Sequence, residues 1–279
     1  MNQLQQEELN ILIEFDRICK KHDIIYTLSS GTLLGSIRHQ GFIPWDDDID
    51  VNMSRSEFKR FEAVVKNELN SDFFYQSFET EKDHYHAFPK IRSNKIELVE
   101  KSTDYLNINH GVWIDIFPYD NIPDDLTLRN EQKKKVEHYN KLISLFVYTF
   151  VTDADTGKKR VIKSIFYQLN RIFYRINFLL PSLYRKRQKW IEKYNDQNTE
   201  YANMLVFNFN DDVYKQTLIR NAILDDVTTG SFEGHEFLIP KAYDEILESN
   251  YGDYMKLPPE SEQVSNHEIV LKVNKNNGE

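Results

Sequence analysis

Apolar positions in the first twenty residues recur at near-helical spacing. Leu4, Ile11, Leu12, Phe15, Ile18 and Cys19 fall on one stripe, and Lys20 and Lys21 place cations at the negative end of the helix dipole. This predicts a helix from about Gln3 to His22. The β-branched and aromatic run Ile24 to Leu28 predicts a strand that stops at Ser29-Ser30-Gly31-Thr32, after which Leu33, Leu34 and Ile37 resume a helical beat. Ile43 to Met53 has strand character, and Ser54-Arg55-Ser56-Glu57 is a capping box ahead of Phe58, Phe61, Val65 and Leu69 on one helical face. Residues 73–117 break into short strand-like pieces, of which Val112 to Phe117 is the strongest. From Thr127 to about Tyr194 the period turns helical, with Leu142, Leu145, Phe146 and Thr149 in one helix and Ile162, Phe166, Leu169, Phe173 and Ile176 in another. Strand signals return at Phe232 to Ile239, followed by a helix opened by Pro240 and closed near Gly252. Neither an internal repeat nor a low-complexity linker interrupts the chain.

Composition narrows the class. With 279 residues, 40% hydrophobic and 28% charged, the chain can bury a substantial core and is not a disordered polymer. A single cysteine, Cys19, excludes a disulfide framework and a cysteine-rich zinc site and fits a reducing compartment. The opening residues lack the basic region and apolar stretch of a secretory signal, and no apolar run reaches the about 18 residues needed to span a bilayer. A cytoplasmic protein is expected. The net charge of −9 argues against wrapping nucleic acid. That charge is unevenly spread, because residues 157–191 hold ten Lys or Arg and no Asp or Glu, leaving −19 on the remainder.

Candidate chemistry starts with Asp46-Asp47-Asp48-Ile49-Asp50. If this run opens a strand, Asp48 and Asp50 point to the same side. Acidic runs are commonly solvated loops, but this one lies between Ile43-Pro44-Trp45 and Val51, an apolar setting in which paired carboxylates repel unless a hard cation such as Mg²⁺ or Mn²⁺ bridges them. Such a cation is also what phosphoryl transfer requires. Asp115, inside Trp113-Ile114-Asp115-Ile116-Phe117, is a natural third ligand, the alternative being a turn cap or an arginine partner. Upstream, Ser29-Ser30-Gly31-Thr32 joins a strand to a helix, so free N–H groups and the hydroxyls of Ser30 and Thr32 can converge on an anion. It has neither the Walker lysine nor the three-glycine dinucleotide pattern. Arg38, Lys90 and Arg92 are cations available for donor phosphates. His110 and His267 are expected to be structural.

Ser30-Gly-Thr-Leu-Leu-Gly-Ser-Ile-Arg-His39 followed by Gly41-Phe-Ile-Pro-Trp-Asp-Asp-Asp-Ile-Asp50 resembles the LicD family of phosphocholine transferases. Gly111-Val-Trp-Ile-Asp-Ile-Phe-Pro118 with Asp120 resembles its second block, and Phe232-Glu-Gly234, Pro240, Tyr251-Gly-Asp-Tyr254 and Leu257-Pro-Pro259 its C-terminal signature. The resemblance implies an α/β (α+β) fold with a nucleotidyltransferase-like core of mixed sheet and flanking helices, plus a mostly helical middle region. The expected division is a catalytic core over 1–124, a helical acceptor region over 125–225 and a segment returning to the core over 226–279.

The implied reaction is Mg²⁺-dependent, with Mn²⁺ as a substitute. A glycan hydroxyl attacks the headgroup-bearing phosphorus of CDP-choline or another CDP-alcohol and releases CMP. Asp48, Asp50 and Asp115 would hold the metal and carry the catalysis, with Ser30, Gly31, Thr32, Arg38, Trp45, Lys90 and Arg92 binding substrate. The acceptor would be a lipid-linked glycan such as a lipopolysaccharide or teichoic acid precursor; nucleic acid is not a partner. True nucleotidyl transfer with loss of pyrophosphate and a degenerate glycan-binding protein are the competing readings.

Choline would need an aromatic cage, but Tyr119, Tyr148 and Trp190 are expected to pack rather than form one. In residues 157–191, Phe166, Tyr167, Phe173, Tyr174 and Phe178 alternate with Lys163, Arg171 and Arg175 in a helical register. Since apolar stripes generally face a core, packing against the first domain is the expected role. The alternative is peripheral contact with the inner face of an anionic membrane.

Overall fold

The computed structural model describes residues 1–46, 48–148, 151–152, 155–173, 178–206, 211–263 and 269–270. In chain order the elements are α1 (Gln3–Lys21), β1 (Thr27–Leu28), α2 (Ser30–Arg38), β2 (Asp50–Ser54), α3 (Arg55–Glu68), β3 (Phe73–Gln76), β4 (Lys90–Glu97), β5 (Val99–Glu100) and β6 (Gly111–Ile122). Then come α4 (Leu126–Phe146), α5 (Gly157–Phe173), α6 (Leu179–Ile191), β7 (Tyr201–Asn203), α7 (Asp211–Gln216), β8 (Leu218–Arg220), α8 (Asn221–Leu224), β9 (Val227–Phe232), β10 (His235–Pro240), α9 (Tyr243–Tyr251) and β11 (Ile269–Val270).

The central mixed sheet runs β1-β2-β6-β4-β3, with β7 pairing the far end of β6 and β8 pairing β7. Only β2 and β6 are parallel within it. The helix-spaced residues of α1 and α3 cover one face and bring Phe15 against Tyr26 and Phe61, at ring separations of 4.9 and 5.0 Å. The β9-β10 hairpin and Leu247 of α9 join that same core through Phe232, Phe237 and Ile239. A second core gathers Phe117, Tyr119 and Ile122 of β6 with Val136 of α4 and Ile191 of α6, so the long strand β6 serves both.

Several boundaries differ from the pattern. The strand expected over 24–28 contains only Thr27–Leu28, and the one expected over 43–53 begins at Asp50. Pro44 carries no amide proton, and the Asp46 N–H closes a turn onto the Ile43 carbonyl at 2.9 Å, so the chain reaches the sheet only after the acidic run. β6 extends past Phe117 through Pro118. That proline is tolerated because β4 pairs only as far along β6 as Asp115, leaving no ladder bond on that side to lose. Ser54 caps α3 through the Glu57 N–H, but Glu57 turns its carboxylate to the Ile25 N–H and Arg60, so only half of the capping box forms. Pro240 ends β10 opposite Val227 instead of opening a helix, and α9 stops at Gly252 in the left-handed region, φ 65°.

The basic segment meets expectation on its aromatic side, where Tyr167 and Arg171 reach Asp104 of the first domain, and departs from it on the other. Lys163, Phe166, Tyr167 and Asn170 of α5 turn toward the protein, where Asn170 donates to the Leu145 carbonyl and Tyr167 to Asp104. Val161, Ile162, Ile165, Leu169 and Ile172 lie on the other side, 42–66% exposed, so this apolar stripe does not pack on the first domain. Thr149, Tyr174, Arg175, Ile176 and the side chain of Phe173 lie outside the described residues.

A buried ion pair fixes the end of β6. Arg55, at the start of α3, donates to both carboxylate oxygens of Asp120 at 2.8 and 2.7 Å, and Asn195 donates to the same carboxylate at 2.6 Å. Removing one partner of such a pair leaves a desolvated charge. Asp120→Ala is therefore expected to lower the urea-unfolding free energy by about 3–5 kcal/mol. A loss within the range of an exposed pair, below about 1 kcal/mol, would contradict this role.

Candidate active site

The strand register puts three ionisable residues in one row. Asp50 of β2 lies opposite Asp115 of β6, and Asp115 lies opposite Lys90 of β4. The Lys90 ammonium is 2.8 Å from Asp115 Oδ1 and sits over the Trp113 ring at 4.3 Å. Asp50 Oδ1 is buried with no hydrogen-bond partner. Like charges directly opposite on neighbouring strands repel, and one lysine cannot neutralise both carboxylates. Burial, followed by the charges of Asp48, Asp115 and Asp46, pushes the Asp50 carboxyl well above the usual carboxylate range. Asp115 is also raised by burial, with Lys90 opposing.

Asp48 precedes β2, so strand alternation does not orient it, yet it is the foremost charged influence on Asp50. Among the described residues no three acidic, histidine or cysteine side chains already converge at metal-ligand spacing. The preorganised part is the Asp50–Asp115 pair. A hard cation with oxygen ligands fits its unsatisfied carboxylate oxygen. Asp47 lies outside the described residues.

The turn before α2 is tied to the same row. The Ser29 N–H donates to the Asp50 carbonyl at 3.0 Å, and Thr32 Oγ1 accepts the Asp50 N–H at 2.9 Å. Thr32 is buried, so its hydroxyl serves to position Asp50. Ser29 makes no side-chain cap and instead accepts from Asn52 at 3.0 Å, leaving the first-turn N–H groups of α2 without the usual side-chain acceptor. Ser30 holds φ at 47°, a left-handed backbone that is costly for a non-glycine residue. At Gly31 an added Cβ would fall 2.2 Å from Asp46 Oδ2, so only glycine lets the acidic loop close on this turn without displacement.

A cleft of about 690 Å³ opens beside the row, lined by Gly31, Arg38, Trp45, Asp46, Asp48 and Asp50 on one side. The other wall is the end of α9 and the segment after it, including Tyr251, Asp253, Tyr254, Lys256 and Pro258. Arg38 is anchored there, donating to the Tyr254 carbonyl at 2.8 Å. Burial and then the charges of Asp50, Asp46 and Asp48 push the Tyr251 phenol upward. Ser30 faces a smaller cavity across the turn, which shares Tyr251 with the cleft.

Arg92 does not reach the cleft. It is buried and donates to Gln76 at 2.5 Å, the Gly111 carbonyl at 2.8 Å and Glu100 at 3.2 Å. Lys90 likewise spends its charge on Asp115. The cleft cations expected from sequence thus reduce to Arg38, joined by Lys256.

Sequence reasoning assigned no cleft role to Asp46, Tyr251, Tyr254 or Lys256. The aromatic Tyr251-Gly-Asp-Tyr254 turn ahead of Pro258-Pro259 was the available signal. Tyr119 and Trp190 pack in or against the second core, and Tyr148 stacks on His86 at 4.5 Å, so none of the three lines the cleft. His110 contacts the Leu106 carbonyl at 3.2 Å; His267 lies outside the described residues.

Comparison with known proteins bears on this geometry. Residues 23–144 match the model of the family described as LicD/FKTN/FKRP, nucleotidyltransferase domain. The lipopolysaccharide cholinephosphotransferase LicD of Haemophilus influenzae is 29% identical over 259 residues, covering 93% of this chain and 92% of that protein. Uncharacterized proteins of Rickettsia typhi and Rickettsia prowazekii are 44% and 51% identical, but only over 45 residues, 15% and 17% of their lengths. The matched domain contains the uncapped turn, the acidic loop and all three members of the Asp50–Asp115–Lys90 row, and the alignment continues through the cleft's far wall; in sequence and in the placing of these residues the chain is similar to the LicD family.

Proposed function

We propose that the protein transfers phosphocholine, or a related alditol phosphate, from a CDP-linked donor to a hydroxyl of a cell-surface glycan, releasing CMP. Mg²⁺ or Mn²⁺ would be held by Asp48, Asp50 and Asp115. The observation that carries this reading is the buried Asp50 Oδ1, without a hydrogen-bond partner, on a residue paired with Asp115 at the edge of an aromatic cleft. A bound divalent ion supplies the positive charge that phosphate oxygens need during transfer.

The chain's own groups account for the remaining work. The first turn of α2 offers N–H donors to a phosphate, and Thr32 holds Asp50 in place. Asp115, raised in proton affinity by burial and steadied by Lys90, would accept the proton of the attacking hydroxyl. Trp45, Tyr251 and Tyr254 line the cleft beside Asp46 and Asp253, a setting that suits a quaternary ammonium. The name of the Haemophilus influenzae relative supports choline phosphate as the group moved and lipopolysaccharide as the acceptor class, ahead of teichoic acid. The description of the matched domain favours a second reading, nucleotidyl transfer with loss of pyrophosphate.

The exposed stripe of α5 supports peripheral attachment to an anionic membrane, where a lipid-linked acceptor resides. Its apolar residues stand on a helix that carries Lys158, Lys159, Arg160, Lys163 and Arg171. No helix among the described residues is long and apolar enough to cross a membrane.

Purified protein with Mg²⁺, lipopolysaccharide and CDP-choline, CDP-ribitol or CDP-glycerol is expected to release CMP in an acceptor-dependent manner. Asp50→Asn should reduce turnover at least about a hundredfold with circular dichroism unchanged. Pyrophosphate release from CTP in place of CMP would establish the second reading. Trp45→Ala should raise KM for CDP-choline about tenfold, and raise it less for CDP-ribitol.

In flotation assays the protein should bind phosphatidylglycerol vesicles at low salt but not phosphatidylcholine vesicles. Ile165→Ser with Leu169→Ser should abolish binding, and retained binding would remove α5 as the contact.

A further inference from the structure

A second cavity, of about 340 Å³, lies between α4, α6 and the loop leading into β4. Arg187 of α6 enters it 97% buried, since only 3% of its surface is exposed. Its Nη1 donates to Asn140 Oδ1 at 3.3 Å and its Nη2 to the Tyr85 carbonyl at 2.8 Å, both neutral acceptors. Nε has no hydrogen-bond partner, and among the described residues no carboxylate pairs with this guanidinium. Burial lowers its pKa to about 10, which leaves it cationic at neutral pH. The buried Tyr148 hydroxyl in the same cavity has the Tyr85 N–H as its polar neighbour but no acceptor for its own proton.

Both unsatisfied groups can donate hydrogen bonds, so what the cavity lacks is an acceptor. Its charge has the same sense. Burial and then His84, Lys90, Arg92 and Arg187 all disfavour a proton on His86, which lines the cavity and stacks on Tyr148. Phe88 forms part of the wall and lies 5.6 Å from the Lys90 ammonium. The cavity therefore sits at the lysine end of the Asp50–Asp115–Lys90 row, and none of its lining residues is shared with the acidic cleft. A buried guanidinium given only neutral partners is costly unless an anion completes it.

We propose that this cavity is an oxyanion site in which Arg187 and Tyr148 bind a phosphate group of a substrate. The assignment of that phosphate to a substrate rests on the transferase reading; anion binding itself does not. The group could belong to the nucleotide donor or to a phosphorylated acceptor glycan, and the two present the same chemistry to Arg187.

The test is calorimetric titration of the full chain with inorganic phosphate, CMP and glucose 6-phosphate, in chelator and constant chloride so that no divalent ion contributes. Wild type should bind at least one of the three saturably. Tyr148→Phe removes only a hydroxyl that donates to no acceptor, so it should fold, and it should weaken that ligand about tenfold. Arg187→Met should abolish binding, while Asp50→Asn in the cleft should leave it within about twofold, as expected for sites that share no contacts. Loss of CMP binding in Tyr148→Phe would identify the donor phosphate, and loss of glucose 6-phosphate binding the acceptor phosphate. Absence of saturable binding by wild type, or unchanged affinity in Tyr148→Phe, would overturn the site. Because no turnover is read, that failure is distinct from failure of the transferase assay.

Discussion

The architecture turns on two carboxylates that the strand register forces to face each other. Asp50 and Asp115 occupy paired positions on a parallel pair of strands in the central sheet, and Lys90 on the next strand answers one of them. Desolvation makes each charge costly, proximity makes the pair more so, and one ammonium leaves the total negative. A fold that keeps such an arrangement gives up stability at this point, which is where binding of a cation would return it.

The surroundings hold that row rigid. Both the amide and the carbonyl of Asp50 are bonded by the turn before α2, so the backbone of Asp50 cannot move away from Asp115 without breaking the Ser29 and Thr32 contacts. On the far strand, Arg92 is locked by Gln76, Gly111 and Glu100 beneath Trp113, which fixes the ring on which Lys90 rests. The Arg55–Asp120 pair then clamps the far end of β6 to α3. The charge asymmetry noticed along the chain has a spatial counterpart, with acidic groups around the cleft and basic groups on α5 and in the Arg187 cavity.

Much of this was legible in the sequence, for identifiable reasons. The helices α1 and α3 and the strand around Asp115 announced themselves by period and by Ser54, because each buries one face against a core. The closeness of Asp115 to Asp50 followed from two acidic residues in apolar strand contexts, each needing a reason to be there. Other features depended on contacts that no local pattern encodes. Arg92 and Lys90 read as free cations because their partners, Gln76, Glu100 and Asp115, are set by strand pairing. The outward stripe of α5 was hidden because a helical period records that a face is apolar, not which way it points. The Tyr251–Pro259 wall of the cleft comes from the far end of the chain, beyond any spacing argument.

The central claim is that the Asp50–Asp115 pair is a cation site whose repulsion Lys90 offsets only in part until the ion binds. Thermal unfolding of wild type and Asp50→Asn, in chelator and over a Mn²⁺ titration, tests it directly. The account expects the variant to melt above wild type in chelator, and Mn²⁺ to raise the wild-type midpoint while leaving the variant's unchanged. A variant that melts below wild type in chelator and is stabilised by Mn²⁺ to the same extent would contradict it.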